Sequence, residues 1–245
     1  MLNKIFNEDC LIGMQKIPDG SIDMILADLP FGITDAKHDV KIPLLPLWSE
    51  YKRIIKPNGA ILLFGVGIFC AELMISNPKM YKYEWIWEKN NATGFLFSHS
   101  RPLRAHENIL VFYKKPPTYN PQFVEGKPYT KYRKKLNTEN YIIRKNYYAV
   151  NDGKRYPRSV LRYKTVNASG KGHTVHPTQK PVDLLEYLIK TYTNEGETVL
   201  DNCIGSGSTA VACVNTNRNF IGFETVEKYC EIARKRIEEA LKLKQ

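Results

Sequence analysis

The chain has 245 residues, and its 36 Lys and Arg outnumber 25 Asp and Glu to give a formal net charge of +11. That length suits one domain, or one domain carrying a large insertion, and it suffices to bury a real core. An apolar fraction of 43% with 11% aromatic residues excludes a disordered or fibrous chain.

Taken in chain order, Ile22-Asp23-Met24-Ile25-Leu26-Ala27 is a short apolar run ending at Asp28, which suits a buried parallel strand. Residues 44–55 have helical spacing, and Lys56-Pro57-Asn58-Gly59 is expected to stop that helix. Residues 60–64 read as another apolar strand. Two more are expected over 83–87 and 108–113, with a Gly- and Ser-containing loop between them. After a long basic stretch, residues 181–193 form an amphipathic helical pattern. Thr178 is a candidate cap, Pro181 suits the first turn, and Asp183 suits the positive end. A strand over 197–201, a helix over 208–215, a strand over 219–223 ending at Glu224 and a closing helix over 226–243 complete the chain. The alternation predicts an α/β sheet with helices on both faces.

The best apolar run, over residues 54–69, is broken by Lys56, Pro57 and Asn58, so a membrane span is excluded. The first nine residues lack the apolar core of a signal peptide, which points to the cytoplasm. The five cysteines are widely spaced and contain no C-x-x-C, which argues against a disulfide framework and a structural zinc site. His173 and His176 lie in a Gly/Pro turn without further ligands, so no metal is expected.

The excess charge is concentrated. Residues 113–173 hold 15 Lys and Arg against Glu125, Glu139 and Asp152, a net of +12, and nine of the 15 tyrosines. The rest of the chain stands at −1. Lys and Arg neutralise phosphates and tyrosine stacks on bases, so this segment points to a polyanion partner.

Two motifs carry chemistry. In Asp201-Asn202-Cys203-Ile204-Gly205-Ser206-Gly207-Ser208 a strand runs into a Gly-x-Gly turn and a helix, and a second strand then ends at Glu224. Glycine lets backbone approach a ligand, and the later acid suits ribose hydroxyls, so this is a nucleoside-cofactor site. The pattern fits a dinucleotide or S-adenosylmethionine. Asp201, placed to meet a cationic amino group, favours the latter. The second motif, Asp28-Leu29-Pro30-Phe31-Gly32, follows a strand at the sheet edge where ligands bind. It offers a carboxylate, a carbonyl at Leu29 and an aromatic face, the parts needed to grip an exocyclic amine and stack on its ring.

Together these residues resemble the S-adenosylmethionine-dependent amino DNA methyltransferases, which methylate adenine N6 or cytosine N4. Asp28-Leu29-Pro30-Phe31 is similar to that family's catalytic tetrapeptide, usually Asp-Pro-Pro-Tyr. The Asp201 loop is similar to its cofactor loop, and His176-Pro177-Thr178-Gln179-Lys180-Pro181 to a segment just upstream. Arg101-Pro102-Leu103-Arg104-Ala105-His106-Glu107 also resembles a stretch common in its phage and bacterial members. The motif order matches the family's β arrangement, a circularly permuted Rossmann-like methyltransferase sheet. The resemblance implies a catalytic and cofactor-binding domain over residues 1–117 and 173–245, with 118–172 as an inserted target-recognition region.

The resemblance also implies roles. Asp28 and the Leu29 carbonyl would accept hydrogen bonds from the target amine, Pro30 would stiffen the loop, and Phe31 would stack on a base flipped from duplex DNA. Asp201 would hold the cofactor's amino group, Gly205 and Gly207 would admit its backbone side with Ser208 next to them, and Glu224 would take the ribose. Asp9 would lie near the adenine, with Thr178 and Lys180 by the carboxylate. Arg101, Arg104, Lys131, Arg133, Lys134, Lys135, Arg144 and Lys145 would contact DNA. An aspartate at position 28 favours adenine N6, since members with serine there more often modify cytosine N4. Three alternatives stay open: a cytosine-N4 enzyme, a nicotinamide-dependent oxidoreductase, and an inactive nucleic-acid-binding module. The family contains dimers and enzymes paired with a restriction endonuclease, so a second copy and a cognate nuclease are further candidate partners.

Overall fold

The computed structural model describes residues 1–32, 40–138, 141–166 and 179–244. Its elements are β1 (Lys4–Asn7), α1 (Cys10–Met14), β2 (Ile22–Ala27), α2 (Leu44–Ile54), β3 (Ile55–Gly65), α3 (Ile68–Ser76), β4 (Tyr81–Thr93) and β5 (Arg104–Phe112). Short strands follow: β6 (Val124–Glu125), β7 (Tyr129–Arg133), β8 (Leu136–Thr138), β9 (Tyr141–Ile143), β10 (Tyr147–Asn151), β11 (Lys154–Arg155) and β12 (Val160–Tyr163). The chain closes with α4 (Val182–Tyr192), β13 (Thr198–Asp201), α5 (Ser208–Asn215), β14 (Asn219–Glu224) and α6 (Glu227–Lys242).

It divides into two compact units, Met1–Asn120 with Ser159–Gln245, and Pro121–Arg158. The larger unit is built on an eight-stranded sheet in the order β1-β14-β13-β2-β3-β5-β4-β12. Strands from β1 to β3 in that order are parallel, and β5 is antiparallel to both of its neighbours. The central strands alternate between two cores. Met24 and Leu26 pack under α4, α5 and α6, while Ile25 and Ala27 pack under α1, α2 and α3. A strand buried on both faces needs a continuous apolar stretch, and β2 supplies one from Met24 to Ala27, while Asp23 at its start is partnered by Lys56 and the Thr198 N–H. The expected α/β sheet with helices on both faces is therefore present.

Three differences from the sequence reading are informative. Lys56-Pro57-Asn58-Gly59 does not stand between a helix and a strand. Ile55 already pairs with Ile22, and these four residues form an irregularity at the start of β3, before Met24 pairs with Ala60. A proline and a turn pair are tolerated there because the ladder is already interrupted. The second difference is β12, which the sequence assigned to the insertion. It pairs in parallel with β4, Val160 opposite Ile86 and Tyr163 opposite Lys89, so this strand belongs to the main sheet and the larger unit. Lastly, the N-cap position of α4 is Pro181 with no side-chain cap, and Thr178 lies outside the described residues.

The smaller unit consists of β7 with β10, β6 with β11, and β8 with β9, three antiparallel pairs. Phe123 against Tyr156, with ring centroids 4.9 Å apart, and Tyr132 against Tyr148 at 5.1 Å supply its aromatic contacts. It carries ten Lys and Arg against three acids, so +7 of the basic segment's charge belongs here and the remainder to the larger unit. Among the described residues no helix is long and apolar enough to cross a membrane.

Candidate active site

The two motifs meet because their strands are neighbours. β13 pairs with β2, Val199 opposite Met24 and Leu200 opposite Ile25. Both strands point the same way, so the loops after Ala27 and Asp201 leave the sheet at one edge. Between them lies a cavity of about 1000 Å³. Asp28, Leu29, Pro30 and Phe31 line it from one side, and Asp201, Gly205, Ser208 and Glu224 from the other, with Asp9 and Lys180 also on its wall.

On the β13 side the loop is held by its own carboxylates. Asp201 accepts from the Cys203 backbone N–H at 3.0 Å and from the Thr209 hydroxyl at 2.6 Å. It is buried and has no ion pair among the described residues, and that burial pushes its pKa up to about 7. Glu224 accepts from the Gly205 N–H at 3.1 Å and from the Val226 N–H at 2.8 Å, which ties the loop to the end of β14. Asp9 caps α1, accepting from Leu11 and Ile12. Asn202 anchors the loop from below. It accepts from the buried Tyr51 hydroxyl, and its amide lies 3.5 Å from the Cys10 sulfur and 3.6 Å from that of Cys203.

The two loop glycines differ in purpose. Gly205 has a φ of 52° and lines the cavity. Gly207 does not line it. A Cβ there would lie 2.7 Å from Ala233 Cβ, and its φ is +82°, so this glycine serves the close approach of α6 to the loop. Ser208 opens α5, and its hydroxyl receives a hydrogen bond from Arg236 at 3.2 Å.

The β2 side contains a buried charge cluster that the sequence did not reveal. Lys180 forms an ion pair with Asp28 Oδ2 and lies 3.5 Å from Glu107 Oε2, while Lys89 holds Glu107 Oε1. The ammonium of Lys180 also lies 5.0 Å from the centre of the Phe64 ring. Lys180 was expected beside a cofactor carboxylate. Here it neutralises the protein's own carboxylates while lining the cavity, because a buried ammonium needs a counter-charge and two are at hand. Burial raises the Asp28 pKa, with Lys180 working against that rise. Burial alone would lower Lys180 and raise Glu107, but the opposite charges outweigh it in both. Lys180 therefore stays an ammonium and Glu107 a carboxylate. Asp28 Oδ1 is shielded from water and has no hydrogen-bond partner among the described residues.

Around Asp28, Leu29 is buried in the core on the α1–α3 side and Phe31 is half-buried, its ring 5.1 Å from that of Phe69. Phe31 is thus fixed by packing while still lining the cavity. Of the residues expected at DNA, Arg104 lines the same cavity from the start of β5, and the Arg101 guanidinium lies 4.3 Å from the centre of the Phe97 ring. Lys131, Arg133, Lys134, Lys135, Arg144 and Lys145 are exposed in the smaller unit. His173 and His176 lie outside the described residues.

Comparison with known proteins places the chain in a family. The profile of a family described as DNA methylase matches residues 22–235. The chain is similar to the type II methyltransferase M.BglII of Bacillus subtilis, at 29% identity over 95% of this chain and 68% of that protein. It is equally similar to M2.DpnII of Streptococcus pneumoniae, at 29% identity over 96% of this chain and 89% of that protein. Among solved structures, the M1.HpyAVI–SAM complex superposes with a TM-score of 0.65 at 27% identity, covering 96% of this chain and 98% of that one. The cytosine-N4-specific PvuII DNA methyltransferase gives a TM-score of 0.70 at 16% identity, over 98% of this chain and 90% of that one, a likeness of fold alone.

Proposed function

The chain belongs to the DNA methylase family of S-adenosylmethionine-dependent amino-methyltransferases, and from that premise we propose that it methylates adenine N6 in duplex DNA. The family covers adenine N6 and cytosine N4 alike. The choice of adenine rests on the aspartate that heads the Asp28-Leu29-Pro30-Phe31 tetrapeptide. The observation that carries the reading is the Oδ1 of Asp28, unpartnered among the described residues, on a cavity shared with the Asp201 loop.

The cavity fits S-adenosylmethionine by its chemistry. Asp201 is a buried carboxylate with no cation of its own among the described residues, and an ammonium would restore its ionised form. Glu224 stands at the end of the neighbouring strand, where ribose hydroxyls are expected to lie. When bound, the cofactor supplies a methyl group on a sulfonium that is already a good leaving group. The chain's task is alignment, and both motifs are built on adjoining strand ends for that purpose.

Asp28 is prepared for the amine. Lys180 occupies Oδ2, which orients the carboxylate and leaves Oδ1 as the acceptor for an N–H of the target base. Because Oδ1 is already stripped of water, the incoming amine gains that bond without a further desolvation cost at the carboxylate. The proton that the nitrogen sheds after transfer has a near acceptor in Asp28, whose affinity for protons burial raises. Glu107, braced by Lys89, keeps Lys180 in place. Phe31, backed by Phe69, offers a ring face for the base.

The test is binding followed by transfer. Calorimetric titration is expected to show S-adenosylmethionine binding and no comparable affinity for NADH. Labelled methyl from the cofactor is expected in duplex DNA and absent from RNA of the same sequence. Tight NADH binding without S-adenosylmethionine binding overturns the reading, as does labelling confined to RNA.

A further inference from the structure

Strands β4 and β5 are joined at one end by residues 94–103, which include a short 3-10 turn over Phe95–Phe97. Three consecutive large apolar side chains stand in water there: Phe95 is 78% exposed, Leu96 90% and Phe97 52%. Single exposed apolar residues need no explanation, but a contiguous cluster at a hairpin tip marks a surface made to be covered. Among the described residues, none of the three belongs to either core of the larger unit.

Two observations say what covers them. Residues 90–106 contain Arg101, Arg104, His99 and His106 and no Asp or Glu, so the apolar tip has a cationic border. The tip also adjoins the active-site cavity: Thr93 and Arg104 line both that cavity and a smaller one of about 260 Å³ formed with Phe97 and Arg101. A polyanion with apolar faces between its charges fits this surface, and the stacked bases of duplex DNA are such a ligand.

We infer that Phe95 and Leu96 form a wedge that enters the base stack beside the target nucleotide and fills the space its base vacates, while Arg101 and Arg104 hold the flanking phosphates. This rests on the reading of the chain as an enzyme acting on duplex DNA. Extruding a base forfeits stacking and pairing, and apolar side chains placed in the gap offset part of that loss. A second copy of the chain is the poorer occupant, since it would bring two cationic borders together.

The experiment uses the full chain with the double substitution F95A/L96A and two duplexes carrying a site mapped by methylation sequencing. One is fully paired. In the other the target base faces an abasic position, so that it is already unpaired. The inference expects kcat/KM to fall by about tenfold or more on the paired duplex and by less than about threefold on the opened one. Fluorescence of 2-aminopurine at the target position is expected to lose its rise on binding only in the paired duplex with the variant. Unchanged rates, or equal losses on both duplexes, overturn the wedge. So does a smaller sedimenting species in the variant, which would show that a second copy covers the tip. Wild-type protein silent on both duplexes would overturn the parent reading and the wedge with it.

Discussion

In the larger unit Asp28, Lys180, Glu107 and Lys89 are drawn out of water into one cluster, joined by ion pairs. In Pro121–Arg158 the side chains of Lys131, Arg133, Lys134, Lys135, Arg144 and Lys145 stand exposed on hairpins. The same residue types therefore do different work. A buried charge is held by a small number of neighbours, so a single substitution is felt strongly. An exposed charge acts through a summed field that salt screens, so substitutions there are individually weak and graded.

The contrast breaks most sharply at Asp28. Asp28→Ala removes the amine's acceptor and is expected to lower the rate of labelled methyl transfer by about 10³-fold, with S-adenosylmethionine affinity by calorimetry nearly unchanged. Comparable activity in the variant would place the chemistry elsewhere. Next in size is Gly207→Ala, which puts a Cβ 2.7 Å from Ala233 and a side chain at a φ of +82°. A loss of about 3 kcal/mol is expected in urea unfolding, from overpacking and left-handed backbone strain together. A neutral result would show that α6 gives way easily.

In the smaller unit, replacing Lys131, Arg133, Lys134 and Lys135 by Gln is expected to weaken DNA binding by about thirtyfold at moderate salt. The log-log salt dependence should flatten by about 0.9 for each phosphate that the variant no longer neutralises. Cofactor affinity is expected to hold, and a fall in it would erase the division of labour between the units. The smallest effect is one of pH. The Asp201 pKa is raised from 3.8 to about 7, so the folded protein binds this proton more tightly than the unfolded chain. Its share of stability is therefore present at low pH and is lost as pH rises toward about 7. Affinity for a cofactor ammonium runs the other way, rising about tenfold between about pH 6 and about pH 8 as the carboxylate forms. Asp201→Asn should flatten that rise, and a pH-independent affinity in the wild-type protein would remove the ammonium from Asp201.

The strand ends carrying Asp28 and Asp201 were legible because each is a local pattern, an apolar run that stops at an acid before a turn. The pairing of Lys180 with Asp28 was not, since 152 residues separate them and no local spacing reports on a tertiary ion pair. Glu107 and Lys89 escaped for the same reason; Glu107 stood out only as the last residue of a familiar stretch. Gly207 carries a packing constraint that the sequence does not show. A glycine demanded by a ligand and one demanded by a neighbouring helix are the same letter, and only the 2.7 Å approach to Ala233 tells them apart. β12 was hidden by composition, because four strand residues lie inside a basic segment whose charge dominates any reading of it.

The claim that joins both regions is transfer of a methyl group to adenine N6 in duplex DNA. The most direct test is to incubate the protein with isotopically labelled S-adenosylmethionine and unmodified duplex DNA, digest the product to nucleosides and identify the labelled one by mass spectrometry. The account predicts label in N6-methyladenine, absent when Asp28 is replaced by Ala. Label in N4-methylcytosine alone, or N6-methyladenine formed undiminished by the Asp28→Ala protein, would contradict it.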